Sequence, residues 1–229
     1  MYNFSFRPVI ANFDLLLSGA LLTLGVTVAA IVLGFVLGVL CAVARAIGPR
    51  PLAAIVAGYV EAIRNTPFLV QLFIVYFGLP AIGIQLTALQ AGIIAMVINL
   101  GAYSAEIIRA GIESIHRLQL EAASALGMTR WQMMRHVVLP PAIENVYPAL
   151  TSQFILMMLA SSLLSAIALN ELAGRAVTLE SLTFRSFEIY SVVALLYIAL
   201  TLLFKGLFRA IGYMSFRRWR RLGQSGAAR

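Results

Sequence analysis

Charged residues are scarce in this sequence: Asp, Glu, Lys and Arg make up 11% of the chain. An average soluble domain has about 25%. The chain is instead strongly apolar, with 61% hydrophobic residues and a mean hydropathy of +0.92. So few charges cannot solvate a globule of 229 residues, so an ordinary soluble domain is excluded. We therefore expect residues 1–229 to form a single domain embedded in a membrane.

The patterns of several common functional sites are also missing. The only cysteine, Cys41, has no partner for an internal disulfide. There is no glycine-rich loop ending in lysine, so we expect neither an ATP site nor a cofactor. His116 and His136 are isolated from cysteine and from any HExxH pattern, so we expect no metal site. Serines in the apolar stretches lack the histidine partner of a hydrolase, and we expect that the chain is not an enzyme.

Long uncharged stretches predict an all-α membrane protein with about five transmembrane helices. Helices are expected because lipid offers no hydrogen-bond partner to the backbone. The uncharged stretch 65–105 is too long for one helix, and Gly78, Pro80 and Gly83 interrupt it. The predicted spans are 15–44, a second one ending near Leu79, about 87–108, one starting near Pro148 and ending before Glu171, and about 187–208.

The distribution of Lys and Arg predicts the orientation of these spans. One side carries most of them: Arg45, Arg50, Arg109, Arg117, Arg130, Arg135, Lys205, Arg209, Arg217, Arg218, Arg220, Arg221 and Arg229. The other side carries Arg7, Arg175 and Arg185. The positive-inside rule then predicts an external N-terminus and a cytoplasmic C-terminus, with a basic tail at about 214–229 that meets anionic membrane lipid. The net charge of +8 therefore reflects topology, and we expect no nucleic-acid partner.

One long cytoplasmic segment, about 109–147, has the composition of a folded loop. Residues 119–126 are rich in helix formers and precede Gly127, a residue typical of the position after a helix end. Thr129 and Gln132 have the spacing of a capping box for a second helix. We expect the Leu139-Pro140-Pro141 sequence to end that helix. Such a loop either packs beneath the spans or docks a cytoplasmic partner in a groove.

Two sets of motifs resemble a known family of transporters. Glu121-Ala122-Ala123-Ser124-Ala125-Leu126-Gly127, followed by Leu139-Pro140, closely resembles the EAA motif of ABC-importer permeases. The blocks 59–67, 69–72 and 102–109 are similar to the polar amino-acid uptake branch of that family, and the similarity covers roughly residues 18–215. The resemblance implies a type I ABC-importer permease fold whose cytoplasmic coupling helix contacts the ATPase. The candidate coupling residues are Glu121, Ala122, Ala123 and Gly127.

The resemblance also implies a function and a set of partners. The chain is expected to be the membrane-spanning subunit of an ATP-driven, binding-protein-dependent importer of polar amino acids in the bacterial inner membrane. Its implied partners are two cytoplasmic ATPase subunits, a second permease subunit (a similar chain or another copy) and a periplasmic substrate-binding protein. Two other classes stay open: an ion-coupled secondary transporter, which needs a self-contained path, and a membrane scaffold without transport activity.

The sequence departs from the family pattern at Leu159 and Ala160, where a lysine and a polar neighbour are usual. Ser152 likewise replaces a common asparagine. A basic group buried in a membrane needs a charged partner or ligand. Its loss here favours an asymmetric pair in which a different permease subunit supplies the polar half, although a homodimer stays open.

Six polar residues in or near the spans are candidates for the substrate pathway: Glu61, Arg64, Thr66, Gln71, Asn99 and Tyr103. The Arg64 guanidinium has the right shape to hold a carboxylate through two hydrogen bonds. Thr66-Pro67 is expected to break the helix and to offer backbone groups to a ligand, as the discontinuous helices of transporters do.

Each of these candidates also has a structural interpretation. Glu61 and Arg64 are one helical turn apart, and either form an ion pair or lie at the membrane interface. Gln71, Asn99 and Tyr103 can bond neighbouring helices instead of lining a path. Glu106 and Arg109 are expected to pair within a helix or between subunits, and Gly34 and Gly38 fit a GxxxG packing motif.

Overall fold

The computed structural model describes residues 4–216, and every regular element in this part of the chain is helical. The α-helices are α1 (Arg7–Ala11), α2 (Phe13–Ile47), α3 (Arg50–Arg64), α4 (Phe68–Phe73), α5 (Ala88–Glu113), α6 (Arg117–Ala125), α7 (Arg130–Met133), α8 (Leu139–Ala160), α9 (Leu172–Thr183) and α10 (Ser186–Ser215). A π-helical turn (Ile74–Gly78) and a 3-10 turn (Leu79–Ile82) extend α4, a second π turn (Met134–Val138) joins α7 to α8, and a 3-10 segment (Ser161–Ile167) follows α8. The predicted all-α fold is confirmed.

Four helical segments are long and apolar enough to cross a membrane: Phe13–Ile47, Ala88–Glu113, Arg130–Ile167 and Ser186–Ser215. α3 and the segment Phe68–Ile82 meet the same criterion together, as a pair bent by 110°. The described residues therefore hold four spans, or five if the bent pair is one span, in agreement with the predicted number. The bend falls at residues 65–67, where the Thr66-Pro67 sequence predicts an interruption.

Small residues bring α2 and α5 into close contact. A methyl group added to Gly38 would lie 2.5 Å from the Ser104 Cβ, and one added to Gly34 would lie 2.9 Å from the Leu100 Cβ. The backbone oxygen of Gly101 is 3.1 Å from the same position on Gly38. The Gly34 and Gly38 pair thus forms a helix contact, as the GxxxG spacing predicts. This contact fixes the position of α5, which carries several of the candidate polar residues.

The predicted end of a helix at Leu139-Pro140-Pro141 is wrong, and the helix that holds the fourth predicted span begins well before Pro148. α7, the π turn Met134–Val138 and α8 continue as one segment, with both prolines in the first turn of α8. A proline is tolerated there because the wider π turn before it relaxes the regular hydrogen-bond spacing. Pro148 lies inside α8, where burial of Leu150 and Phe154 in the core offsets the hydrogen bond that proline removes.

α9 is a helix that the sequence analysis does not predict. Its N-cap is Glu171, whose fully buried carboxylate accepts hydrogen bonds from the Gly174 N–H (2.9 Å), the Thr23 hydroxyl (3.1 Å) and the Tyr197 hydroxyl (3.1 Å). These bonds join α9 to α2 and α10. No long apolar stretch marks α9, and Thr23 and Glu171 are 148 positions apart, so local pattern does not reveal it.

Candidate functional site

The segment predicted to couple to an ATPase is a short helix ended by a left-handed glycine. Gly127 follows α6 with φ of 72°, the conformation that its position predicts. The Gly127 N–H donates to the Ser124 carbonyl (2.9 Å) and the Met128 N–H donates to the Ala123 carbonyl (3.2 Å). These two bonds form the Schellman arrangement that closes a helix end. The turn therefore reverses the chain at a fixed point after α6.

The predicted capping box follows directly. The Thr129 hydroxyl accepts a hydrogen bond from the Gln132 N–H (3.3 Å), and the Gln132 side chain accepts one from the Thr129 N–H (2.8 Å). A box of this kind satisfies two of the free N–H groups at a helix start. α6 and α7 are thus bounded by two consecutive local signals, one ending the first helix and one beginning the second.

α6 presents an apolar surface that the rest of the described chain leaves uncovered. Leu118 is 65% exposed and Leu126 is 81% exposed. Among the predicted coupling residues, Glu121, Ala122 and Gly127 are exposed, whereas Ala123 is buried at 4% exposure. Three of the four residues are therefore available to a partner, and Ala123 holds the helix against the chain.

A second candidate site is a cleft of about 290 Å³ where α3 ends between α2 and α5. We call it the charged cleft; its lining residues are Arg45, Ala57, Val60, Glu61, Arg64, Asn65, Tyr103 and Glu106. Three of the six predicted pathway residues, Glu61, Arg64 and Tyr103, line it together. The volume is just below the range of about 300–1,000 Å³ typical of small-molecule sites.

Glu106 is the centre of the ion pairs in the charged cleft. Its carboxylate accepts from the Arg109 guanidinium at 2.6 Å and 3.1 Å and from Arg45 Nη1 at 3.0 Å. Arg64 Nη1 is further away, at 3.5 Å. The predicted pair of Glu106 with Arg109 is therefore present within α5. The contact of Glu106 with Arg45, which lies 61 positions earlier in the chain, is not predicted by the sequence analysis.

Arg64 and Glu61 are placed differently from that network. The Arg64 side chain is 41% exposed, and its guanidinium carbon lies 5.8 Å from the centre of the Tyr103 ring, within the range of a cation–π contact. The alternative of an ion pair between Glu61 and Arg64 is not supported, since no ion pair of Glu61 occurs within residues 4–216. Both side chains are free to meet a ligand in the cleft.

The other three predicted pathway residues form a hydrogen-bond network at the helix break. Gln71 Nε2 donates to the Ile63 carbonyl (2.8 Å), the Thr66 carbonyl (3.0 Å) and the Thr66 hydroxyl (2.9 Å). Asn99 Nδ2 donates to Gln71 Oε1 (2.8 Å). Gln71 is 6% exposed and Asn99 is 5% exposed, so both are buried.

This network corrects one expectation about the break. The carbonyls of Ile63 and Thr66 are released by the end of α3, but the Gln71 amide already occupies them. An intramolecular hydrogen bond contributes about 0.5–1.5 kcal/mol, so Gln71 stabilises the bend. Gln71 and Asn99 thus bond neighbouring helices, as the structural interpretation of these residues predicts, and these two carbonyls already accept hydrogen bonds from within the chain.

Comparison with known proteins identifies the family. Residues 30–213 match the family described as the inner membrane component of binding-protein-dependent transport systems. The chain belongs to this family. Membership confirms the predicted class, a transport subunit of an inner membrane rather than an enzyme, and makes the chain part of a system that works with a binding protein.

Individual relatives are similar over nearly the whole chain. The "Probable glutamine ABC transporter permease protein GlnM" of Bacillus subtilis (strain 168) is 42% identical over 191 residues, covering 83% of this chain and 88% of the relative. The arginine transport system permease protein ArtQ of the same organism is 33% identical, covering 91% and 96%. A crystal structure of an amino acid ABC transporter with histidines is 38% identical, with a TM-score of 0.87 over 92% of this chain and 98% of that one. The predicted ABC-importer permease fold is confirmed.

Proposed function

We propose that this chain is the membrane-spanning subunit of an ATP-driven importer of polar amino acids. The observation that carries the proposal is the similarity, at 33–42% identity over more than four fifths of the chain, to permeases named for glutamine and arginine. ATP hydrolysis would belong to separate ATPase subunits, two per transporter. A binding protein would deliver the amino acid on the opposite side of the membrane.

The exposed surface of α6 is the proposed contact with the ATPase. Glu121, Ala122 and Gly127 form its outer face, and Leu118 and Leu126 add two large apolar side chains. An exposed helix with an apolar face is suited to insertion into a groove of a partner. A closing movement of the ATPase pair would shift α6 and, through the turn at Gly127, the long helical segment that begins at Arg130.

The charged cleft and the helix break form the proposed substrate pathway. Glu61, Arg64 and Tyr103 line the cleft, while Thr66, Gln71 and Asn99 hold the adjacent bend in place. Bent and interrupted helices are common at transporter binding sites because backbone irregularity at membrane depth occurs where a cavity is lined. The path would pass between this chain and a second permease subunit.

The proposed orientation has the N-terminus outside and the C-terminus in the cytoplasm. The supporting observation is the distribution of basic residues: Arg45, Arg109, Arg117 and Arg130 are near the helix ends on the α6 side. The basic tail, for which contact with anionic lipid is predicted, is largely residues 217–229, which lie outside the described residues.

The second permease subunit is proposed to be a different but similar chain. Leu159, at one of the two positions where the family pattern is usually polar, is 39% exposed on α8, a face that a partner or lipid would cover. Mass spectrometry of the intact purified transporter tests this proposal directly. An active assembly with two copies of this chain and no other membrane subunit would show that the pair is symmetric.

Reconstitution tests the proposed function itself. The chain would be co-expressed with candidate ATPase, permease and binding-protein subunits from the same organism, purified and placed in proteoliposomes. We expect uptake of a radiolabelled polar amino acid that needs internal ATP and external binding protein. Uptake driven by an ion gradient without ATP would favour a secondary transporter. A chain that purifies without an ATPase and supports no uptake would favour a scaffold.

A further inference from the structure

The charged side chains of the cleft differ in how tightly they are paired. Glu106 has two guanidinium partners at hydrogen-bond distance, Arg109 at 2.6 Å and Arg45 at 3.0 Å. A charge-assisted N–H···O bond is usually about 2.7–2.9 Å long. At 3.5 Å from the same carboxylate, Arg64 is outside that range and remains 41% exposed. Arg64 therefore has a longer ion pair with Glu106 and a cation–π contact with Tyr103, and its exposed guanidinium keeps N–H donors for a ligand.

Glu61 is the corresponding anion. It precedes Arg64 by one helical turn, lines the same cleft and is exposed. Within residues 4–216 its carboxylate has no ion pair and no hydrogen bond, and it does not join Arg64 even though the spacing allows it. One cation and one anion thus face the same cavity of about 290 Å³.

We propose, on the basis of the function proposed above, that these two side chains recognise the zwitterion common to all α-amino acids. Arg64 holds the α-carboxylate through its planar pair of N–H donors. Glu61 accepts hydrogen bonds from the α-ammonium group. A site with one charge of each sign selects zwitterions over simple organic anions or cations.

The rest of the cleft restricts the side chain of the substrate. Arg45 and Arg109 both pair with Glu106, and Arg109 also pairs with Glu113, so these four charges sum to zero. Ala57, Val60 and Asn65 are uncharged. Once Arg64 and Glu61 hold the two α-groups, an ionised substrate side chain would find no further charge of opposite sign free to pair with it. The cleft therefore selects an amino acid with an uncharged side chain, for which L-glutamine is a suitable probe.

Ligands that lack one charge test the assignment. The assembled transporter with its ATPase subunits is placed in lipid nanodiscs without ATP, and binding is measured by competition with radiolabelled L-glutamine. L-Glutaminamide lacks the carboxylate, and 4-carbamoylbutanoate lacks the ammonium group. Loss of a hydrogen bond between charged groups costs about 1.5–3 kcal/mol, so we expect each analogue to bind roughly 10- to 100-fold more weakly than L-glutamine.

Two variants test which residue binds each charged group of the ligand. Arg64→Gln should weaken L-glutamine by the same roughly 10- to 100-fold but leave L-glutaminamide unchanged. Glu61→Gln should weaken L-glutamine but leave 4-carbamoylbutanoate unchanged. Matched controls are Arg50→Gln and Asp14→Asn, which remove an exposed charge of the same sign outside the cleft and should alter no affinity.

The outcomes separate this inference from the proposed function. If the wild-type transporter shows no ATP-dependent uptake of any amino acid, the proposed function is wrong. If it takes up L-glutamine but shows no direct binding, or if the variants weaken all three ligands equally or not at all, the zwitterion site is wrong. If a variant does not assemble, the affinities of the wild-type transporter for the three ligands still test the proposal. Equal affinity for L-glutamine and both analogues overturns it.

Discussion

Replacing Gly127 by valine tests whether the turn after α6 serves coupling. Gly127 has φ of 72°, and no atom lies within 4 Å of the position that a Cβ would take. Valine would therefore meet no neighbour, and the whole cost arises in the backbone. A left-handed conformation costs an L-residue about 1–2 kcal/mol, and β-branched residues adopt it least readily. That energy changes the ratio of formed to unformed turn by roughly 5- to 30-fold.

The same position offers a matched control. Asparagine tolerates the left-handed region far better than valine, so Gly127→Asn adds a side chain of similar size at little backbone cost. We expect Gly127→Val to lower ATP-dependent uptake in proteoliposomes by up to the factor above and to loosen the ATPase, and Gly127→Asn to keep most activity. The melting temperature of the membrane subunit should be similar in both. Normal uptake and full ATPase association in the valine variant would refute the coupling role of this turn.

Three further predictions concern packing, the helix break and topology. Gly38→Val should lower the stability of the purified subunit by about 1–3 kcal/mol in thermal unfolding, because the new Cβ would overlap Ser104. The control Gly25→Ala has open space around the new methyl group and should not lower it, and equal melting temperatures of the two variants would contradict the close contact of α2 and α5. Gln71→Leu removes the hydrogen bonds that this side chain donates to two backbone carbonyls. We therefore expect a loss of about 0.5–1.5 kcal/mol per bond in thermal unfolding and reduced uptake, and an unchanged variant would show that the bend needs no such support. An impermeant thiol reagent on intact cells should label Asn3→Cys and not Ser225→Cys in a Cys41→Ser background, and the reverse pattern would invert the topology.

Local chemistry made part of this structure predictable. Gly127, Thr129 and Gln132 bound their helices through bonds between residues three to five positions apart, and such signals are visible in sequence. The break at Thr66-Pro67 belongs to the same class. The number of spans followed from composition, since lipid requires long apolar helices.

The errors have physical causes of a different kind. The Pro140-Pro141 pair is a strong local signal for a helix end, yet a π turn before it and the packing of α8 outweigh that signal. The ion pair of Arg45 with Glu106 joins residues 61 positions apart, so no spacing rule reveals it. Glu61 and Arg64 have a spacing typical of an ion pair, but the folded chain draws Arg64 towards Glu106 and Tyr103 instead.

The single amide of Gln71 has a consequence for how this protein can diverge. It bonds both sides of the 110° bend and also accepts from Asn99 on α5. A shorter side chain at position 71 would remove the bonds to two carbonyls and to the Asn99 amide at once, and a change at position 99 alone would remove the donor to the Gln71 oxygen. Positions 71 and 99 therefore restrict each other's replacement, and viable sequences are expected to exchange them as a pair.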